Sequence, residues 1–236
     1  MIDFINTEGI DLISRAKYFH TLLMSETNFQ SWKCVPHPVL QLRETQTNNI
    51  KPFLNVSRTD FVCRLNSSSC NPDNNCSCYR RAERNDSIIV DCWNRSLYEM
   101  PKEIVYLGGE LIVDLSVNNI SVFPNCNDPA YNWLRHVTTL NLENNRGLSP
   151  SNPQDMSRFL SCLKNIEKLY LADCNIAHLP YLITNITHMY KNFSIAGNPL
   201  TCTCESTWLK TWLQSNTEVI KDYDKVYCSS RGRCLG

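Results

Sequence analysis

The sequence lacks an excess of either charge, since 23 Lys and Arg residues balance 23 Asp and Glu residues. Without a basic run, electrostatic attraction to nucleic acid or to anionic lipid is not indicated. Only seven glycines are present, and none falls in a G-x-G-x-x-G or P-loop pattern that could cradle a phosphate. Motifs of the G-x-S-x-G and H-E-x-x-H types are also missing. We therefore expect no nucleic-acid partner, no catalysis and no cofactor.

Long apolar runs are missing as well. No stretch approaches the roughly 18 apolar residues of a membrane span, and the opening segment carries Asp3, Glu8 and Asp11 in place of the apolar core of a signal peptide. From these absences we expect a fragment, or a gene model that has lost its first exon. The hydrophobic content of 42% is nevertheless that of a globular protein with a buried core.

Cysteine, in contrast, is abundant. The 13 cysteines lie in clusters, which indicates disulfides and an oxidising compartment. A second signal is the number of N-x-S/T glycosylation sequons, which favours a secreted or cell-surface chain. The eight acceptor asparagines are Asn55, Asn66, Asn75, Asn85, Asn94, Asn119, Asn185 and Asn192.

The cysteine spacing does not favour a metal site. Zinc sites use C-x-x-C pairs with histidines at ligand spacing. Here Cys76 with Cys78, and Cys202 with Cys204, form C-x-C pairs, and the five histidines lie singly. A thioredoxin-like redox pair would also need C-x-x-C. We expect neither metal binding nor redox activity.

Four segments fit the leucine-rich frame L-x-x-L-x-L-x-x-N/C-x-L. They begin at Glu110, Val137, Ile166 and Tyr190. Their sixth positions are Leu115, Leu142, Leu171 and Ile195. The resulting periods of 27, 29 and 24 residues are within the range of this repeat class. We predict that each x-L-x-L core is a short strand with its leucines inward, and that stacked strands form a parallel sheet on the concave side of a solenoid.

The ninth frame position turns the chain after each strand. Asn118, Asn145 and Asn198 occupy it, and a buried amide can bond backbone groups that the turn leaves without partners. The third copy has Cys174 there. A thiol is a weak donor, so we expect this turn to be less well tied.

The outward positions of the strands are where a solenoid meets its ligand. The binding candidates on this concave face are Asp114, Ser116, Asn141, Glu143, Lys168 and Tyr170. Asn192 is a sequon on the same face. We expect a glycan there to keep a protein ligand away from the last repeat.

A short stack of repeats exposes its core at both ends and needs caps. After the last repeat, "NPLTCTCESTWLKTWL" places Trp208 and Trp212, and Leu209 and Leu213, four residues apart. We predict a helix that lies with its apolar side on the last leucine layer, and we favour this over a pair of tryptophans that stack on a ligand. Before the first repeat, "CNPDNNCSCYRRAERNDSIIVDC" is in the place of an N-terminal cap.

The cap motif "CSCYRRAERNDSIIVDCWNRSLYEMP", the repeats and "NPLTCTCESTWLKTWL" together resemble the Toll receptor family. The similarity covers about residues 30–236 and is to the second solenoid block of members with cysteine clusters in mid-ectodomain. It implies an α/β leucine-rich-repeat solenoid with an irregular or short helical convex side and disulfide-rich caps. The implied units are a truncated C-terminal cap of a preceding block (1–64), an N-terminal cap (65–100), about four repeats (101–200) and a C-terminal cap (201–236).

The resemblance also implies a disulfide pattern, because in such caps the first cysteine pairs with the third and the second with the fourth. The implied bonds are Cys70–Cys78, Cys76–Cys92, Cys202–Cys228 and Cys204–Cys234. The alternative for Cys204 is a partner beyond Gly236, because Cys234 follows Cys228 more closely than the family pattern implies. Cys34 and Cys63 resemble the last two cysteines of the preceding cap and would need a C-x-C pair upstream. No motif gives partners for Cys126, Cys162 and Cys174. All three could be thiols, or Cys126 and Cys162 could bond each other between connections on the convex side.

The function that the resemblance implies is a non-catalytic, extracellular binding segment of a single-pass receptor in innate-immune or developmental signalling. Its partner would be a protein ligand or a second receptor chain in a homodimer. Membrane contact would need a span that this chain does not contain. The alternatives are a secreted leucine-rich adhesion or decoy protein, and a partial gene copy.

Overall fold

The computed structural model describes residues 34–36, 61–65, 76–81, 86–148 and 153–231. Its main element is an eight-stranded sheet in which the spatial order of the strands follows the sequence. The strands are β1 Cys34–Pro36, β2 Phe61–Leu65, β3 Ser77–Arg81, β4 Ile88–Asp91, β5 Leu111–Asp114, β6 Thr139–Asn141, β7 Lys168–Tyr170 and β8 Asn192–Ser194.

Strands β4 to β8 are parallel and in register. Their central positions align across the sheet and are fully buried; these residues are Val90, Val113, Leu140, Leu169 and Phe193. The sixth positions of the four repeats form a second buried layer, with Leu115, Leu142, Leu171 and Ile195 all at 0% exposure. The parallel strands expected from the leucine period are thus present, and β4 from the N-terminal cap adds one more.

The other half of the sheet is antiparallel, and the repeat frame predicts no strand there. β1 pairs with β2, β2 with β3, and β3 with β4, all antiparallel. The unit boundary placed after residue 64 falls inside β2, which extends to Leu65. These strands are only three to five residues long, too short for alternation of apolar and polar residues to distinguish them from a loop.

Short helices cover the face of the sheet that the repeat frame predicts to be convex, which is called the convex side below. A 3₁₀ helix spans Pro129–Arg135, α1 spans Pro153–Cys162 and α2 spans Leu182–Ile186. The first begins where the Asp128 side chain accepts a hydrogen bond from the Ala130 N–H, a standard N-terminal cap. Leu134, Phe159 and Ile183 from these helices are fully buried against the sheet.

The C-terminal region combines two strands with a helix. β9 Leu200–Cys202 and β10 Cys228–Arg231 pair in parallel, and α3 Trp208–Ser215 lies between them in sequence. Leu209 and Trp212 are buried, while Trp208 and Leu213 are half-buried against the same core. The predicted capping helix therefore lies with its apolar side on the last repeat. Among the described residues, no helix has both the length and the apolar character needed to cross a bilayer.

Candidate functional site

The chain leaves each parallel strand through a residue with left-handed backbone geometry. These residues, with positive φ, are Asn94 (51°), Val117 (58°), Asn144 (60°), Asp173 (54°) and Gly197 (71°). Asparagine, aspartate and glycine adopt this conformation readily, but a β-branched residue does so only with strain. Val117 is thus the one residue of these five whose side chain does not suit the left-handed backbone conformation.

After β5, β6 and β8, the residue that follows the left-handed one is an asparagine whose side chain bonds the preceding turn. The Asn118 amide donates to the carbonyls of Leu115 and Cys92, both at 2.8 Å, and its oxygen accepts from the N–H groups of Arg95 and Leu97. Asn145 and Asn198 donate in the same way to the carbonyls of their own and the preceding strand segment. These asparagine hydrogen bonds fix the spacing between neighbouring strands, and hence the spacing between the side chains on the predicted concave face.

Cys174 takes the same place in the third repeat. Its Sγ donates to the Leu142 carbonyl at 3.0 Å, and the residue is fully buried. Burial, assisted by the charges of Glu143 and Asp173, raises the pKa of this thiol to about 12. The thiol therefore reproduces one of the asparagine hydrogen bonds, the bond to the carbonyl of the preceding strand segment. It has no second N–H to donate, as an amide would.

The predicted binding candidates share one face of the sheet, because Asp114, Asn141 and Tyr170 align across β5, β6 and β7. This is the face that the repeat frame predicts to be concave, and it is called the concave face below. Three of the six are nevertheless almost fully buried, namely Asp114 (1%), Ser116 (0%) and Asn141 (3%). The Asp114 carboxylate accepts hydrogen bonds from the Ser116 N–H at 2.9 Å and Oγ at 2.6 Å. These side chains hold the ends of the strands, so they are not available to a ligand.

Glu143, Lys168 and Tyr170 are half-buried and remain the accessible part of the predicted set. A further residue, Trp93, was missed. It is 51% exposed and lies two residues after Asp91, which is in register with Asp114, so Trp93 continues the row that contains Ser116. Extending the repeat frame upstream with Cys92 in the sixth position would have found it.

The C-terminal cap closes the edge of the sheet at β8. The Phe193 N–H donates to the Val219 carbonyl at 3.0 Å, and the Asp222 carboxylate accepts from the Ser194 hydroxyl, at 2.8 Å. Glu143, reaching from the second repeat, lies 3.3 Å from the same hydroxyl. The cap thus contacts the concave face itself as well as the end of the core.

On the other side of the last repeat, α3 is joined to the convex helices. The Trp212 indole N–H donates to the Thr187 hydroxyl at 2.8 Å, and this hydroxyl donates to the Ile183 carbonyl at 2.5 Å. Tyr190 is buried nearby and stacks on Phe193. Its hydroxyl has no hydrogen-bond partner in the part of the chain that the structure describes.

Three disulfides have both cysteines among the residues whose side chains the structure describes. Cys76 is bonded to Cys92 and Cys202 to Cys228, as the cap pattern implies, and Cys126 is bonded to Cys162 between convex connections. Cys78 and Cys204 are also disulfide-bonded, whereas their implied partners Cys70 and Cys234 lie outside the described residues. Within the described ranges, no group of three or more His, Cys, Asp or Glu side chains is arranged to hold a metal ion.

The sequons differ in their surroundings. Asn94, Asn119 and Asn185 are exposed and Asn192 is half-buried at the start of β8. Thr187 and Ser194 are the hydroxyl residues of the last two sequons, and they form hydrogen bonds with Trp212 and Asp222. Both hydroxyls therefore have a structural role in the fold that does not depend on glycosylation of Asn185 or Asn192. The remaining sequons, at Asn55, Asn66, Asn75 and Asn85, lie outside the described residues.

Comparison with known proteins supports a similarity of fold. A chain of the solved Toll–Spätzle complex of Drosophila aligns with a TM-score of 0.59 and 21% identity, over 78% of this chain and 23% of that one. The fold is a Toll-like leucine-rich-repeat fold. An identity below a quarter shows the fold and not the activity.

Sequence comparison gives shorter matches. Immunoglobulin superfamily member 10 of Mus musculus is 33% identical over 69 residues, and the Rattus norvegicus protein is 32% identical over 69 residues. Each match covers 29% of this chain and 3% of the relative, so the chain spans a small fraction of the curated proteins that it matches. No protein-family model matches the chain.

Proposed function

We propose that this chain is a non-catalytic, extracellular, partner-binding segment of a Toll-type transmembrane receptor. Its partner is a protein ligand or a second copy of the receptor, and the whole receptor acts in innate-immune or developmental signalling. The Toll-like fold and the disulfides support an extracellular location, because disulfides persist in oxidising compartments.

The observation that carries the proposal is the makeup of the concave face. Its accessible side chains include an exposed tryptophan, Trp93, and the half-buried Glu143, Lys168 and Tyr170. Tryptophan and tyrosine are enriched among the residues that dominate protein–protein binding energy. Since the neighbouring Asp114 and Ser116 bond each other, the binding residues stand on a rigid strand framework, which lowers the entropy lost on association.

A binding role also fits the chemistry that is present. The described carboxylates on this face, such as Asp114 and Asp222, accept hydrogen bonds from backbone and hydroxyl groups of their own framework. They serve the structure of the strands and cap. We therefore assign no general acid, base or nucleophile to the concave face.

The test measures the binding of fluorescently labelled tetramers of the purified chain to intact cells. Half of the cells are first treated with a protease that removes surface proteins. We expect protease-sensitive binding. Tyr170→Ala on the concave face should weaken it about tenfold or more, since loss of a central aromatic anchor costs at least about 1.4 kcal/mol.

Tyr181→Ala is the matched control, because Tyr181 is 62% exposed at the start of α2 on the convex side. It should bind as the unchanged chain does. Absence of binding to every cell type in a broad panel would refute the proposal. An equal loss of binding in the two variants would also refute it, provided that both unfold at the same temperature as the unchanged chain.

A further inference from the structure

The strand register brings two cysteines together at the outer edge of the sheet. β1 and β2 pair antiparallel, with Cys34 opposite Cys63, Val35 opposite Val62 and Pro36 opposite Phe61. Residues directly opposite in an antiparallel pair lie on the same face of the sheet. Both cysteines are therefore at one position of one face.

Pro36 decides which kind of pair the two cysteines form. In an antiparallel ladder, opposed residues alternate between hydrogen-bonded pairs and closer pairs without hydrogen bonds. Pro36 has no N–H and cannot exchange two bonds with Phe61, so that pair is of the second kind. By alternation Val35 and Val62 are the hydrogen-bonded pair, and Cys34 with Cys63 is again of the closer kind, with Cα atoms about 4.5 Å apart. That separation is within the range of disulfides.

Among the described strands, no other cysteine is directly opposite Cys34 or Cys63. On its other side Cys63 faces Arg80 of β3, and Cys78 faces Leu65. Six of the other described cysteines form the three disulfides, Cys78 and Cys204 are bonded, and Cys174 is a buried thiol.

We propose that Cys34 and Cys63 form a disulfide with each other. This differs from the cap pattern, in which both would bond an upstream C-x-C pair. The two thiols lose two protons and two electrons when the S–S bond forms, and the electrons reduce the disulfide of a secretory-pathway oxidoreductase by thiol–disulfide exchange. The bond joins β1, the edge strand, covalently to β2 in the sheet that continues to the concave-face strands.

The test is peptide mapping of the whole chain secreted from a eukaryotic host, alkylated in denaturant without reduction and digested with trypsin. Cys34 and Cys63 fall in separate tryptic peptides, "CVPHPVLQLR" and "TDFVCR". We expect these two peptides joined in one species that separates on reduction. Recovery of either peptide alkylated, or joined to a different cysteine peptide, would overturn the proposal.

Thiol counts of variants give a second test that does not depend on the peptide map. Cys34→Ser and Cys63→Ser should each expose one more alkylatable thiol than the unchanged chain, and the double variant should return to the original number. An increase of two in the double variant would mean that the cysteines bond other partners, and a decrease in a single variant would mean that they are thiols. Either result would refute the bond.

Discussion

The Asp222 carboxylate accepts a hydrogen bond from the Ala196 main-chain N–H at 2.8 Å. It also accepts from the Ile195 N–H at 3.1 Å, while the Val219 carbonyl accepts from Phe193. β8 is the last strand of the sheet, so these N–H groups lie where a further strand would have paired. The cap thus ends the sheet by supplying acceptors to an edge that would otherwise invite another strand.

Asp222→Ala should lower the free energy of unfolding by roughly 2 kcal/mol, because it removes hydrogen bonds to a charged acceptor. Urea denaturation of the secreted chain measures this. Asp224→Ala is the matched control, since Asp224 is exposed two residues further on, and it should change stability by less than about 0.5 kcal/mol. Equal effects of the two substitutions would contradict the capping role.

Tyr190→Phe should stabilise the protein by about 1 kcal/mol. The Tyr190 hydroxyl is buried without a hydrogen-bond partner among the described residues, and a buried unsatisfied polar group costs about 1–3 kcal/mol. Thermal unfolding measures the change. Tyr181→Phe, at a site that is 62% exposed, should have little effect, and a destabilised Tyr190→Phe would show that the hydroxyl has a partner.

Val117→Asn should also stabilise the protein, by about 1 kcal/mol. Val117 has a φ of 58°, where a β-branched side chain is strained, and Asn144 has a φ of 60° at the same position of the next repeat. Val122→Asn is the control, because Val122 is exposed and has no positive φ. If both asparagine variants gained the same stability, the gain would come from replacing exposed valine and not from the backbone.

The Cys174 thiol should make stability depend on alkaline pH. Its pKa is raised from 9.0 to about 12 by burial, so the folded protein keeps the proton while the unfolded chain loses it. The contribution is complete below pH 9 and is lost as the pH rises towards 12. Between pH 8 and pH 10 the unchanged chain should lose about 1.4 kcal/mol more than Cys174→Ala. Tyr190, whose pKa burial also raises, is present in both proteins and cancels, so parallel pH curves would contradict the shift.

The repeats could be predicted from the sequence because a leucine layer recurs with a fixed period. Leu115, Leu142 and Leu171 are all fully buried, and the frame alone places them. The caps depend on pairing between distant segments, so the antiparallel strands and the contacts of Asp222 have no local signal.

The candidate site was predicted less well. Alternation along a strand assigned Asp114 and Asn141 to the concave face, but it could not indicate that they are 1% and 3% exposed. Exposure depends on neighbours from other strands and on the hydrogen bonds that each carboxylate or amide makes. Trp93 lies on the cap side of the first repeat, where the leucine frame was not extended.

The most direct test of concave-face binding is site-specific photo-crosslinking. A photo-reactive amino acid would replace Lys168, which lies in β7 on the concave face, or Lys164, which is exposed in the turn after α1. Irradiation on cells that bind the chain should give a discrete crosslinked extracellular protein, or a crosslinked second copy, at position 168 only. A crosslink of equal yield at position 164, or none at 168 on cells that bind the chain, would contradict binding through the concave face.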